Sequence, residues 1–104
     1  SSATFNLSEY IDEIAISVPS TTLLVGFNFQ PIKGAIKHDK QIVFDQNSIV
    51  IRGTSKNNSS FSDWIAALQK KDWIEKATII QYGNAKKKTS EASFEFLIKT
   101  KSNE

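Results

Sequence analysis

The 104-residue chain has no cysteine, no methionine, one histidine and four isolated glycines. Each shortage removes a class of chemistry. Without cysteine there are no disulfides, thiolate metal ligands or thiol nucleophiles. His38 alone cannot form a histidine metal cluster. It lies in a Lys-rich connection beside Asp39, with no Ser or Cys in a motif context, and reads as a solvated loop residue rather than a general base. Gly26, Gly34, Gly53 and Gly83 stand too far apart for a phosphate-cradling loop. No catalytic residue, cofactor site or metal site is therefore expected, and the chain is not expected to be an enzyme. No apolar run approaches the ~20 residues that span a bilayer, and no signal peptide is recognisable. A chain without Met that begins Ser-Ser is expected to be the soluble C-terminal piece of a longer protein, its targeting or membrane segment lying upstream.

What is present suffices for one core. Hydrophobic residues make up 39% of the chain and aromatics 11%, with seven Phe and two Trp. That supports a single domain over 1–104 without metal or disulfide staples. The net charge of +2 is too small to argue for nucleic acid, which usually shows as a strong basic excess on one face. Lys86, Lys87 and Lys88 form the one charge run and read as a solvated hairpin tip.

Periodicity places the elements. Asn6 and Glu9 have the spacing of a capping box, and Leu7, Tyr10, Ile11, Ile14 and Val18 recur at helical spacing. Pro19 confines Val18 to extended geometry, so the helix is expected over 7–17. TTLLVGFNF, bounded by Pro19 and Pro31, reads as a strand with Leu23, Val25, Phe27 and Phe29 on one face. QIVFDQNSIVIRGTS reads as two extended runs about a polar DQNS turn. Phe61, Trp64, Ile65 and Leu68 make the apolar stripe of a second helix, with Ser59 or Ser60 as its cap. ATIIQYG and SFEFLIKT are strands joined by GNAKKKTSE. The order helix–strand–strand–helix–strand–strand predicts an α+β fold. It is a ferredoxin-like two-layer sandwich of order αββαββ, circularly permuted, with two helices on one face of a mainly antiparallel sheet and an added short strand at 41–45.

Strand alternation also yields the candidate site. Phe27, Phe29, Phe94 and Phe96 share the phase expected to face the helices, which leaves no aromatic platform for stacking RNA bases. The opposite phase carries Leu24, Val50, Ile79 and Leu97 among Asn28, Arg52, Gln81 and Lys99. Side by side, these four would form an apolar patch on a polar sheet face, the mark of a partner-binding surface. The plainer alternative is four unconnected surface apolars, which folded proteins carry routinely. Of the two tryptophans, Trp64 falls in the helix stripe and Trp73 at the following corner, where its N–H needs a partner.

With these elements placed, YIDEIAISVP running into TTLLVGF, then IVIRGTS, then FSDWIAALQKKDWIEKATIIQY resembles the PilN family of fimbrial assembly proteins. The family's strand ending Ile-any-Gly-any-Ser is matched by Ile51, Arg52, Gly53, Thr54 and Ser55. Its next helix and corner are matched by Phe61, Trp64, Ile65 and Leu68, then Asp72, Trp73, Ile74 and Ala77. Two features depart from the pattern: a long connection from Pro31 to Asp45, and Thr22 where an aromatic is common. The resemblance implies a non-catalytic domain on the periplasmic side of the inner membrane, tethered by a single upstream helix. It also implies pairing as a homodimer or heterodimer with a similar domain, among the inner-membrane assembly proteins of a type IV pilus or type II secretion machine. The alternative is a small-ligand regulatory or RNA-binding ferredoxin-like module.

Overall fold

A computed structural model describes residues 7–32, 46–83 and 90–101. The elements in chain order are α1 (Leu7–Ser17), β1 (Thr22–Ile32), β2 (Gln46–Ser55), α2 (Asn58–Gln69), β3 (Ile74–Gly83) and β4 (Ala92–Thr100). The strands form one sheet in the order β1-β2-β4-β3, and every pairing is antiparallel. Because β2 and β3 both run antiparallel to the β4 between them, they are parallel to each other. The chain must cross over β4 to join them, and α2 is that crossover. Both helices bury their apolar stripes on one side of the sheet, giving the α+β layout of a ferredoxin-like sandwich. The expected strand at 41–45, the Asn6 cap, His38 with Asp39, and Lys86 to Lys88 lie outside the described residues.

The core is an aromatic cluster between α2 and the central strands. Phe61, Trp64, Ile65 and Leu68 of α2 are buried. The Trp64 ring meets Phe96 edge-on with centroids 5.2 Å apart, and Phe61 packs 4.7 Å from Phe94 and 4.7 Å from Tyr82. Such tilted and edge-on contacts suit the ring quadrupoles. From β2 and β4 come Ile49, Ile51, Phe94, Phe96 and Ile98, from the start of β3 Ile74, and from α1 Ile14.

Both tryptophans fasten α1. Trp64 Nε1 donates to Ser17 Oγ at 2.8 Å, and that hydroxyl in turn donates to Ile14 O at 2.7 Å. Trp73 stacks on Tyr10 with centroids 4.0 Å apart and donates from Nε1 to Glu13 Oε1 at 2.9 Å. The same carboxylate oxygen pairs with Lys71 Nζ at 3.4 Å, a half-exposed contact that adds little by itself. The corner role expected of Trp73 is thus filled, and Glu13 supplies the partner its indole needs.

Several local expectations change. The cap of α2 is Asn57, whose side chain accepts from Ser60 N at 2.7 Å, rather than Ser59 or Ser60. Buried Ser55 fixes this turn by donating from Oγ to Asn57 O and accepting from Asn57 N. Gln46, Asn47 and Ser48 are strand, not turn. Asn47 is buried because its N–H reaches Thr100 Oγ1 at 3.0 Å and its carbonyl accepts from the same hydroxyl. β1 runs through Pro31 to Ile32, which an edge strand tolerates because a missing N–H interrupts no ladder on its open side.

The largest correction is in strand phase. In β1, Leu24 opposes Gly53 but Gly26 opposes Arg52, so Val25 is an extra, bulged residue. In β3, Glu75 and Ile80 are extra in the same way. A one-residue bulge exchanges the faces of every side chain beyond it. Leu23 and Val25, expected in the core, are therefore 66% and 68% exposed, while Leu24 packs against the core. Phe27 and Phe29 keep the phase assigned to them, opposite Ile51 and Ile49.

Candidate interaction surface

Among the described residues no helix packs on the other face of the sheet, which is built by regular alternation in the two central strands. In β4, Ala92, Phe94, Phe96, Ile98 and Thr100 are buried, which turns Ser93, Glu95, Leu97 and Lys99 outward. In β2, buried Ile49, Ile51, Gly53 and Ser55 leave Val50, Arg52 and Thr54 on the same outer side. Directly opposed residues share a face, so the register assembles this surface in rows. One row reads Asn28, Val50, Leu97, Thr78, and the next Gly26, Arg52, Glu95, Gln81. On one flank lie Ser48, itself buried, Lys99 and Lys76; on the other lie Leu23, Thr54, Ser93 and Gly83.

Of the four residues expected to form an apolar patch, the structure brings two together. Val50 and Leu97 are direct cross-strand neighbours at the centre of the outer face. Leu24 is not there: the Val25 bulge turns it inward, opposite Gly53. Ile79 is not there either. It opposes Phe96 on the helix side of edge strand β3, where it is 45% exposed, because the Ile80 bulge separates its phase from that of Gln81. Sequence alternation missed Leu23 and Val25, which take outward positions instead. The Val-Gly step at 25–26 is the one local hint of that break.

The Arg52 and Glu95 pair is the charged centre of the face. The two stand opposite each other on adjacent strands, yet among the described residues neither makes an ion pair or side-chain hydrogen bond. Arg52 lies instead across Gly26, its Nη2 3.3 Å from where a Cβ would sit there. Glu95 is half-buried beside an open depression lined by Val25, Arg52, Thr54, Gln81 and Ser93. The strand aromatics Phe27, Phe29, Tyr82, Phe94 and Phe96 all take helix-side register positions, so this face carries none of them.

Both edge strands of the sheet, β1 and β3, carry bulges. On β3, the amide of Ala77 is taken by Gln69 Oε1 of α2 at 2.6 Å, and two bulges interrupt the strand. Both features blunt an edge against further pairing. Gly53 of β2 lies at the opposite side of the sheet, beside the β1 bulge. A Cβ there would come 2.2 Å from Leu23 O and 2.7 Å from the Phe94 ring, so only glycine admits the bulged β1 backbone over the core.

Among the described residues no three His, Cys, Asp or Glu side chains are grouped to hold a metal ion, and no helix is long and apolar enough to cross a membrane. Residues 9–102 match the sequence model of a family described as fimbrial assembly protein (PilN). No curated protein and no solved structure matches the chain.

Proposed function

The chain belongs to the PilN family of fimbrial assembly proteins, and from that premise we propose that it is a non-catalytic scaffold domain that works by pairing with another folded domain. The observation that carries this reading is the outer sheet face, where Val50 and Leu97 meet at the centre of a surface that no described helix covers. A central apolar contact supplies the desolvation gain, and the surrounding polar groups supply register and specificity. The partner is a similar domain, either a second copy or another inner-membrane assembly component of a type IV pilus or type II secretion machine. The domain then sits on the periplasmic side, joined to the membrane by a helix upstream of Ser1. The RNA-binding or small-ligand reading needs exposed stacking aromatics or a glycine loop at a strand–helix junction, and the family gives it no support.

The test is Val50→Asp in the full-length protein in its own cell, reading surface fimbriae against the abundance of the protein. The expected outcome is loss of fimbriae at unchanged abundance, because a carboxylate at the patch centre must be desolvated to pair. Normal fimbriation with this variant would overturn the assignment of the outer face.

A further inference from the structure

We infer that the outer face also holds a binding site for a small zwitterion, a group with an ammonium and a carboxylate on one carbon, as in an α-amino acid. The site is the open depression around Arg52 and Glu95, in the row next to Val50 and Leu97. Its volume of about 400 Å³ falls within the ~300–1,000 Å³ usual for small-molecule sites. The side chains of Arg52, Thr54, Gln81, Ser93 and Glu95 form its polar walls, and Val25 forms an apolar one. Such a site adds a ligand to the scaffold reading and does not depend on it. It would recognise by paired charges, with no need of stacking aromatics or a glycine loop.

Three observations favour this ligand. Arg52 and Glu95 stand directly opposite on adjacent strands, where a cross-strand ion pair is the ordinary outcome, yet they do not pair. Gly26 gives the reason. Having no side chain, it leaves a seat into which the guanidinium leans, Nη2 lying 3.3 Å from where a Cβ would stand. The cation is thereby drawn toward β1, while the carboxylate stays on β4 opposite Gln81. Second, Thr54, Gln81 and Ser93 make no side-chain hydrogen bond among the described residues, so an amide and two hydroxyls are also unpartnered around the depression. Third, Thr54, Ser93 and Glu95 are half-buried, so a charge placed beside them is screened less than at the open surface.

One ligand shape answers all of these. Its carboxylate accepts the two parallel N–H bonds of the Arg52 fork, and its ammonium donates to Glu95 and to the Ser93 hydroxyl. The substituent on its central carbon lies along Val25, which is 68% exposed. A plain anion would meet the like charge of Glu95, and a plain cation that of Arg52. Only a ligand with both signs satisfies both walls. A free amino acid and the zwitterionic end of a longer chain share this chemistry, and an open depression admits either.

The experiment is an NMR titration of the isotope-labelled 104-residue chain with L-alanine, propionate and ethylammonium, followed at the backbone amides, Arg52 Nε–H and the Gln81 side-chain amide. L-alanine is expected to give saturable shifts centred on Arg52, Gln81, Ser93 and Glu95, with a Kd of about 1 mM or below. Propionate and ethylammonium each lose one charged contact and should bind about 10-fold more weakly or less. Arg52→Gln and Glu95→Gln should each weaken L-alanine by a similar factor, with far-UV circular dichroism confirming that these outward substitutions leave the fold intact. Nε-acetyl-lysine, a zwitterion on a long neutral chain, separates the two sources. Tighter binding than L-alanine assigns a chain-borne zwitterion, and equal or weaker binding a free amino acid. The absence of saturable shifts up to about 50 mM L-alanine, far beyond millimolar binding, overturns the inference. So does propionate binding as tightly as L-alanine at the same amides, or L-alanine binding unchanged in both folded variants. The titration needs no partner chain, so its failure leaves the fimbriation test with Val50→Asp standing, and the reverse also holds.

Discussion

The two faces of this four-stranded sheet are made by the same strands and hold opposite kinds of surface. The helix side collects Phe94, Phe96, Ile49, Ile51 and Ile98 from β2 and β4 and seals them under Phe61, Trp64, Ile65 and Leu68. The outer side takes the alternate residues of the same strands, Arg52 exposed and Val50, Glu95, Leu97 and Lys99 partly buried, with no described helix over them. One face is a core whose members have no freedom to change. The other has the central Val50–Leu97 contact, the exposed Leu23 and Val25 toward β1, and one unpaired charge couple, Arg52 and Glu95. Period-2 alternation thus divides a packed core from a second, helix-free register within a single strand among the described residues.

Five substitutions, in four ranks, would break or sharpen that contrast. The largest effect is expected from Phe96→Ala, which removes a fully buried ring in contact with Trp64, Phe94 and Phe61. Truncating it should cost about 3–5 kcal/mol, seen in urea denaturation as an unfolded or barely folded chain. Next comes a matched pair across the β1 bulge. Leu24→Asp should cost about 2–3 kcal/mol by putting a charge against the core, while Leu23→Asp should stay within about 0.5 kcal/mol. Equal melting temperatures for the pair would show that the bulge at Val25 is misplaced.

Gly53→Ala ranks third. The added methyl meets the Leu23 carbonyl and the Phe94 ring, so β1 must shift or the ring must move, at about 1–3 kcal/mol. Amide exchange along β1 should rise more than along β3, because the clash lies between β1 and β2. A uniform change would argue against a local cause. The smallest effect belongs to the outer face. Arg52→Ala should alter monomer stability by no more than about 0.5 kcal/mol, since the guanidinium has no ion-pair partner in the described chain. A loss near that of Gly53→Ala would mean that the outer face is structural rather than free for a partner.

Much of the helix side was readable in advance. The stripe of Phe61, Trp64, Ile65 and Leu68 and the spacing of Leu7, Tyr10, Ile11 and Ile14 each depend on one local period, which neighbours cannot disturb. The alternation of β4 was legible for the same reason. The outer face was half readable. Val50 and Leu97 sit on uninterrupted strands, where phase carries through, whereas Leu24 and Ile79 adjoin bulges that reverse it. Nothing in the composition of Leu-Val-Gly or Ile-Ile-Gln states that one residue will be left out of the ladder. That depends on where the neighbouring strand places its hydrogen-bonding groups.

The Ile-any-Gly-any-Ser motif shows how the two levels join. As letters, Ile51, Gly53 and Ser55 alternate with Arg52 and Thr54, which already assigns them to one face. Only the assembled sheet shows why each is that residue. Ile51 fills the core, Gly53 makes room for the Leu23 carbonyl and the Phe94 ring, and the Ser55 hydroxyl holds the turn that starts α2. Local chemistry determined which elements form, because helical and strand periods are properties of a few consecutive residues. Tertiary structure decided which residues share a surface. Strand order, register and bulges bring Arg52 beside Glu95 and Val50 beside Leu97 from positions more than forty residues apart, and no local period can encode that distance.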